Sequence, residues 1–380
     1  MRVLIESTPA ALAERTGVGT YVWNLLRRLP VVDPSTEYVA RYVHFRGAFR
    51  QRSRRLGDMP VTQRPVAYPW WLYRWSARFN VPPLGLFARC DVVFVPNFLP
   101  PPALGKRFVV TVHDLAFRLF PETAPQAAPW WRRSVHRAIR RASRIIVPSR
   151  STRDDLLALY DVEPDRVATV PLGIDRSVFA PAPAERVEEV RARYGIEGPY
   201  VLFLGRHPRK NLHGILRAFA AVPEAVRPRL VVTGSRPYTR DGSDPDRSAL
   251  DALPGRIRER VSLIGYVSTE DTVALLSGAV ALAFPTFYEG FGFPALEAMA
   301  CGTPVLTSNV SSLPDVVGDA AVLVDPRDDA SIADGLVRLL EDHALRDRLR
   351  AAGLARVLDH DWDRTARATA DVLHDAVDGR

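Results

Sequence analysis

The chain has 380 residues, more than one average core holds, and its 47% hydrophobic and 25% charged composition excludes fibrous and intrinsically disordered classes; two globular domains are expected. Two cysteines, Cys90 and Cys301, exclude a disulfide framework, and eight histidines without HxH or HExxH spacing exclude the common zinc motifs. The net charge of +8 is unevenly spread, because residues 38–90 hold ten arginines against one acid, Asp58, together with the stretch YPWWLYRW.

At the N-terminus, MRVLIESTPA has too short an apolar run for a secretory signal, and no run approaches the roughly 18 residues of a membrane span, so a cytoplasmic chain is expected. RVLIES (2–7) reads as a buried parallel strand, and GVG (17–19) opens the amphipathic helix TYVWNLLRRL (20–29). The basic, aromatic segment 38–90 suits nucleic acid, an anionic membrane surface, an anionic substrate or a plain solvated face. VVFVPN (92–97), FVVTVHD (108–114) and RIIVPS (144–149) read as further strands, and Ser151 with Asp154 reads as a capping box opening STRDDLLALY. Such alternation predicts a doubly wound α/β layout.

A Pro- and Ala-rich stretch, RSVFAPAPAERVEE (176–189), marks a boundary near residue 175. The alternation restarts with YVLFLGR (200–206), RLVVTGS (229–235), VSLIGY (261–266), AVALAFP (279–285), PVLTSN (304–309) and AVLVDP (321–326). Helical patterns follow to the end, the first with Ile332, Leu336, Leu339 and Leu340 on one face. Two Rossmann-like domains are expected, 1–175 and 176–360, with a last helix in 361–380 returning to the first. Parallel sheets bind ligands beyond their strands' carboxyl ends, which places the expected chemistry in a central cleft between the domains.

Three motifs lie at such ends. GVG offers backbone N–H groups to an anion, although its glycines equally suit positive φ alone. In GRHPRKN (205–211), Lys210 is one of only two lysines in an arginine-rich chain and stands near Arg206; an ammonium and a guanidinium suit a diphosphate, or simply cap a basic strand end. FYEGFGFPALEAMACGTPV (287–305) runs from loop to helix, with Glu289 on the loop, Pro294 at the helix start and Glu297 in the opening turn. The helix dipole favours an acid there by about 0.3–1 kcal/mol whatever its role. Gly290 and Gly292 let a ligand approach the backbone, and a carboxylate one turn in can accept both hydroxyls of a ribose diol. A nucleotide-sugar site fits this arrangement better than a glycosidase carboxylate pair, which needs two acids facing across the scissile bond.

The spacing EGFGFPALE, with AMACGTPV, SSLPDVVGDAAVLVDP, VTVHDLAFRLFPE, VPSRSTRDDL, VPLGID and LFLGRHPRKNL in order, resembles the retaining glycosyltransferases of family four. That resemblance implies a GT-B fold, with an acceptor-binding N-terminal domain and a C-terminal domain for the nucleotide sugar. By the same resemblance, Glu297 holds the donor ribose, and Glu289 with Gly290, Phe291, Gly292 and Phe293 holds the sugar. Arg206 and Lys210 neutralise the diphosphate, His113 contacts the transferred sugar, Gly19 approaches donor and acceptor, and the base lies near Tyr266 and Val267. It further implies retention of the anomeric configuration, a GDP- or UDP-linked co-substrate, and no cofactor or metal. The flavour of HDLAFRLFPE is similar to mannosyltransferases of polysaccharide and glycolipid assembly, so GDP-mannose is the expected donor. The acceptor is expected to be a glycan, glycolipid or small molecule, with peripheral contact to an anionic inner membrane face and no nucleic acid partner. The alternatives are a non-catalytic membrane- or polyanion-binding protein on the same fold, or a UDP-sugar transferase acting on a soluble natural product.

Overall fold

The computed structural model describes residues 1–13, 16–46, 55–69, 89–97, 107–123, 129–235 and 244–379. Two compact units divide the chain: Met1–Gly173 with Asp361–Arg380, and Ile174–His360.

The first unit contains β1 (Arg2–Glu6), α1 (Gly17–Val32), β2 (Glu37–Arg46), β3 (Thr62–Pro69), β4 (Val92–Val95) and β5 (Phe108–Thr111). It continues through α2 (Ala116–Leu119), α3 (Pro129–Arg141), β6 (Arg144–Val147), α4 (Arg150–Leu159) and β7 (Val167–Thr169). The seven strands lie parallel in the order β3-β2-β1-β4-β5-β6-β7. β4 and β5 are buried at every residue, as expected of strands covered on both faces. On one face Leu4, Val93, Val110 and Ile145 meet Val135 and Ile139 of α3 and Leu156 of α4 in one apolar cluster.

Three local expectations change. The basic segment supplies β2 and β3, which the sequence reading did not assign as strands; they pair from Val39↔Thr62 to Arg46↔Pro69, and Arg64 lies on β3, the edge, where a charged side chain is tolerated. Trp70, Trp71 and Trp75 of YPWWLYRW lie outside the described residues. Helix α4 is capped by Ser149, whose hydroxyl accepts from the Thr152 N–H at 3.1 Å, and not by a box at Ser151, which already sits inside the helix.

The second unit contains α5 (Ala184–Arg193), β8 (Tyr200–Leu204), α6 (Leu212–Ala221), β9 (Arg229–Thr233), α7 (Pro245–Asp251), β10 (Val261–Gly265) and α8 (Thr269–Gly278). β11 (Ala281–Phe284), α9 (Phe293–Ala300), β12 (Val305–Ser308), α10 (Leu313–Val317), β13 (Ala321–Val324), α11 (Asp329–Glu341) and α12 (His343–Arg356) complete it. Its six strands are parallel in the order β10-β9-β8-β11-β12-β13. Phe203, Phe219, Leu306, Ile332 and Leu336 lie in its main core cluster.

After the second unit the chain forms α13 (Trp362–Asp378) within the first. Trp362 is buried there, and a Cβ at Gly173 would stand 2.3 Å from the Trp362 nitrogen, so only glycine lets the two segments pass. Asp363 pairs with Arg28 at 3.2 Å, His374 with Asp33 at 2.9 Å, and the Thr365 hydroxyl donates to the Pro171 carbonyl at 2.8 Å.

Strand order reverses between β1 and β4 in the first unit, and between β8 and β11 in the second. At such points successive loops leave to opposite faces of the sheet and open a crevice at the carboxyl edge.

Candidate functional site

In the second unit the loops leaving β8 and β11 carry GRHPRKN and TFYEGFG. They are stitched together by backbone groups: the Arg209 carbonyl accepts from the Thr286 hydroxyl at 2.8 Å and the Phe287 N–H at 2.9 Å. Asn211, in the left-handed region at φ 65°, caps α6 and donates to the carbonyls of Pro285 and Pro326 at 3.1 and 2.7 Å. A short polar side chain tolerates that backbone better than most. Nothing in the sequence pattern had singled out Asn211.

Lys210 ends the short turn Pro208–Lys210 and folds back over the strand end, donating to the Leu204 carbonyl at 3.0 Å. Gly205 makes room for it: at φ 85° its absent Cβ would lie 2.8 Å from the Lys210 ammonium. β9 and β10 are likewise followed by or finish on glycines at positive φ, Gly234 and Gly265. Burial lowers the Lys210 ammonium below the ordinary lysine value, while Glu289 and Glu297 pull it back up.

Glu297 stands in the second turn of α9, the fifth residue of an eight-residue helix, and not in its opening turn. The dipole argument for an acid at the helix start therefore loses its force, since that effect fades beyond the first turn. The carboxyl is half-buried and pushed up to about 7 by burial, with Lys210 pulling it down. Among the described residues it accepts no hydrogen bond. Gly292 caps the helix at φ 101°, where a Cβ would meet Leu313 at 2.6 Å.

The Glu289 backbone is held from β12's loop. Ser311 accepts from its N–H at 3.1 Å and donates to its carbonyl at 2.5 Å, and Ser312 donates to the same carbonyl at 2.8 Å. Ser311 itself sits at φ 61°, a second strained position that the sequence did not flag. Gly290 and Phe291 are buried, Phe291 with its ring edge-on to Phe293 at 5.4 Å and to His360 at 5.6 Å. Tyr266 is exposed at the end of β10, and Val267 follows half-buried.

Arg206 is placed differently from Lys210. Its buried guanidinium binds Asp244 at 2.5 Å and Asp246 at 2.9 Å, at the start of α7, and His213 shares Asp246 at 3.2 Å. Two carboxylates thus hold the Nε and Nη2 groups of the arginine. Neither acid was foreseen.

Gly19 and His113 belong to the first unit. Gly19 is buried in the first turn of α1, behind an N-cap, Thr16, whose side chain makes no capping bond. His113, beyond β5, donates Nε2–H to the Pro96 carbonyl at 2.9 Å and packs edge-on against Tyr21 at 5.0 Å. Burial lowers its imidazole below the ordinary value, so the neutral ring is favoured. Beside it, at the β1–β4 switch point, is a residue the sequence reading missed. Glu6, buried, accepts from the Thr8 N–H at 3.0 Å and from Asn97 Nδ2 at 3.1 Å, and burial pushes it up to about 7. The Pro96–Asn97 turn is thus gripped by Glu6 from one side and His113 from the other.

Among the described residues no helix is long and apolar enough to cross a membrane, and no group of three or more His, Cys, Asp or Glu is arranged to hold a metal.

Two family models match the chain, described as Glycosyltransferase Family 4 over residues 15–178 and as Glycosyl transferases group 1 over residues 187–356. The O-antigen chain mannosyltransferase B of Escherichia coli is 34% identical over 278 residues, which covers 72% of this chain and 71% of that protein. The D-inositol 3-phosphate glycosyltransferase of Salinispora tropica is 34% identical over 248 residues, 62% of this chain and 52% of the relative. A serotype-specific mannosyltransferase WbdA of Escherichia coli is 28% identical, and the match spans only 28% of its length. Among solved structures, sucrose-phosphate synthase from Thermosynechococcus elongatus superposes with a TM-score of 0.72 over 100% of both chains at 20% identity. Anabaena HepE, solved with UDP and glucose, gives 0.73 over 98% of this chain and 99% of that one at 15% identity. The fold is GT-B, two Rossmann-like domains with parallel sheets. The chain belongs to the glycosyltransferases of family four and is an enzyme of that class; the non-catalytic alternative is not favoured.

Proposed function

We propose that the protein transfers a sugar from a nucleoside diphosphate donor, bound at the β8–β11 switch point, to a hydroxyl acceptor, with retention of configuration and without a metal. The observation that carries this reading is the Glu297 carboxyl, half-buried, without a hydrogen-bond partner among the described residues, and set against the Lys210 ammonium. A carboxylate in that state suits two adjacent hydroxyls, as on ribose, and the ammonium suits the diphosphate beside them. Glu289, its backbone fixed by Ser311 and Ser312, would meet the sugar, with Gly290, Phe291, Gly292 and Phe293 shaping its surroundings. Tyr266 and Val267 would lie along the base. His113 would meet the transferred sugar as a neutral hydrogen-bonding group.

In the step itself the bond from the anomeric carbon to the diphosphate oxygen breaks and a bond to the acceptor oxygen forms on the same face. The departing phosphate oxygen takes the acceptor's proton. Negative charge grows on that phosphate, so the fixed charge of Lys210 is the main catalytic term asked of this chain. Arg206 contributes by holding the start of α7 through Asp244 and Asp246.

Relatives named as mannosyltransferases favour mannose, and hence GDP-mannose, while neighbours titled with UDP and UDP-glucose keep a uridine donor as the competing reading. Calorimetry with GDP, UDP and their sugars decides the base, and proton NMR of the product decides the anomer. An inverted product, or nucleotide affinity unchanged in Glu297→Ala, would overturn the assignment.

A further inference from the structure

A second concentration of charge lies in the first unit, on the outer side of α3. The helix PWWRRSVHRAIRR turns Val135, Ala138 and Ile139 into the core, leaving Arg133, His136, Arg137, Arg140 and Arg141 exposed. With Arg118 of α2 they line an open cavity of 790 Å³ whose far wall is Leu159 and Tyr160, the Tyr160 ring 5.5 Å from that of His136. Among the described residues six arginines and one histidine contribute to this lining, and no acid does. The sequence from Arg118 to Arg144 contains a single acid, Glu122.

Residues three and four apart on a helix are neighbours, so Arg133, Arg137, Arg140 and Arg141 stand as like-charged pairs at spacings that destabilise a helix. Elsewhere the chain balances its arginines at these spacings: Arg186 with Glu189, Arg191 with Glu188, Arg193 with Glu189, and Arg350 with Asp347. None of Arg118, Arg133, Arg137, Arg140 or Arg141 has such a partner among the described residues. A cavity of this volume exceeds a bare phosphate, and its lining combines guanidinium forks with an apolar wall.

We infer that the cavity between α2, α3 and the end of α4 is a second anion site, which takes the phosphate or diphosphate group of an ester whose remaining body rests on Leu159 and Tyr160. It is independent of the donor site in the second unit. Two sources of that group share the same chemistry, a soluble phosphate ester and a lipid headgroup.

The test uses the full chain carrying Lys210→Ala, so that pyrophosphate does not report on the donor site, and compares it with the same chain carrying R137Q and R140Q. Both exposed positions accept glutamine within a helix, and circular dichroism melting checks that the variant folds. Inorganic pyrophosphate is titrated by calorimetry at two salt concentrations, and vesicles of phosphatidylglycerol or phosphatidylcholine are co-sedimented with each protein. The expected result is saturable binding that weakens with salt and falls about tenfold or more in the double variant. Binding of pyrophosphate alone assigns a soluble ester; binding of phosphatidylglycerol vesicles but not phosphatidylcholine assigns a headgroup. Binding of neither, or equal binding by parent and double variant, overturns the inference.

Discussion

Two glutamates lie near the switch points of the two sheets, on different elements. Glu6 ends β1 beside the first unit's switch point, and Glu297 lies beyond β11 at the second's. Burial pushes both carboxyls up to about 7. Yet Glu6 has each oxygen engaged, by the Thr8 N–H and by Asn97, whereas Glu297 accepts no hydrogen bond among the described residues and is pulled down by the charge of Lys210. A raised carboxyl is therefore not in itself the mark of a ligand site. The inventory of donors around it separates a group that ties loops together from one open to a substrate.

Four measurements break or sharpen that contrast, in falling order of effect. Lys210→Ala should reduce kcat by about 10²–10³ with the circular dichroism spectrum unchanged, because the charge acts on the departing phosphate; a loss confined to KM would reduce Lys210 to a binding group. Glu297→Ala removes charge-assisted hydrogen bonds worth roughly 1.5–3 kcal/mol, weakening donor binding about ten- to hundredfold in calorimetry while leaving the melting point at neutral pH equal or higher. Glu6→Ala should show the reverse pattern. Removing the acceptor of the Thr8 N–H and of Asn97 Nδ2 costs about 1–3 kcal/mol in denaturant unfolding, with little change in donor affinity. Should Glu6→Ala instead abolish donor binding at full stability, the contrast would collapse.

The fourth is a pH dependence. Both carboxyls bind their proton more tightly folded than unfolded, so the stability they lend is complete below an ordinary carboxyl value and is lost as pH rises towards about 7. The slope is at most about 1.4 kcal/mol per pH unit for each group, and Glu297→Gln should remove one share of it in melting curves. Donor affinity should run the opposite way, strengthening as pH rises through about 7, because the diol prefers the ionised carboxylate. Glu6→Gln should leave that second profile in place.

Much of the architecture was legible in the residues. Runs such as VVFV and YVLFL, apolar or aromatic at consecutive positions, have no polar side to turn to water and so announce covered parallel strands. β2 and β3 escaped notice because EYVARYVHFR and TQRPVAYP interrupt their apolar residues with arginine and other polar residues, unlike the continuous apolar runs of the covered strands; β3 lies at the sheet edge, where such residues are tolerated. The motif proposed to hold the donor stood out because its glycines and glutamates are local in sequence. What holds it did not: Asn211, Ser311 and the Arg206–Asp246 pair act across separate loops, and no spacing in one segment records a partner in another. A weaker signal was available, since LFLGR, VVTGS and LIGY each place a glycine where a strand stops. Those three lie side by side as Gly205, Gly234 and Gly265.

The return of α13 to the first unit has a bearing on how the molecule is made. Residues 174–360 form a continuous stretch that can collapse as soon as it is synthesised, whereas the first unit keeps an open seam along α1, at Tyr21 and Arg28, until Trp362 and Asp363 arrive. The order of synthesis and the order of completion are thus inverted. The segment translated first is the last to be sealed, and for that interval its apolar seam is a natural substrate for chaperones.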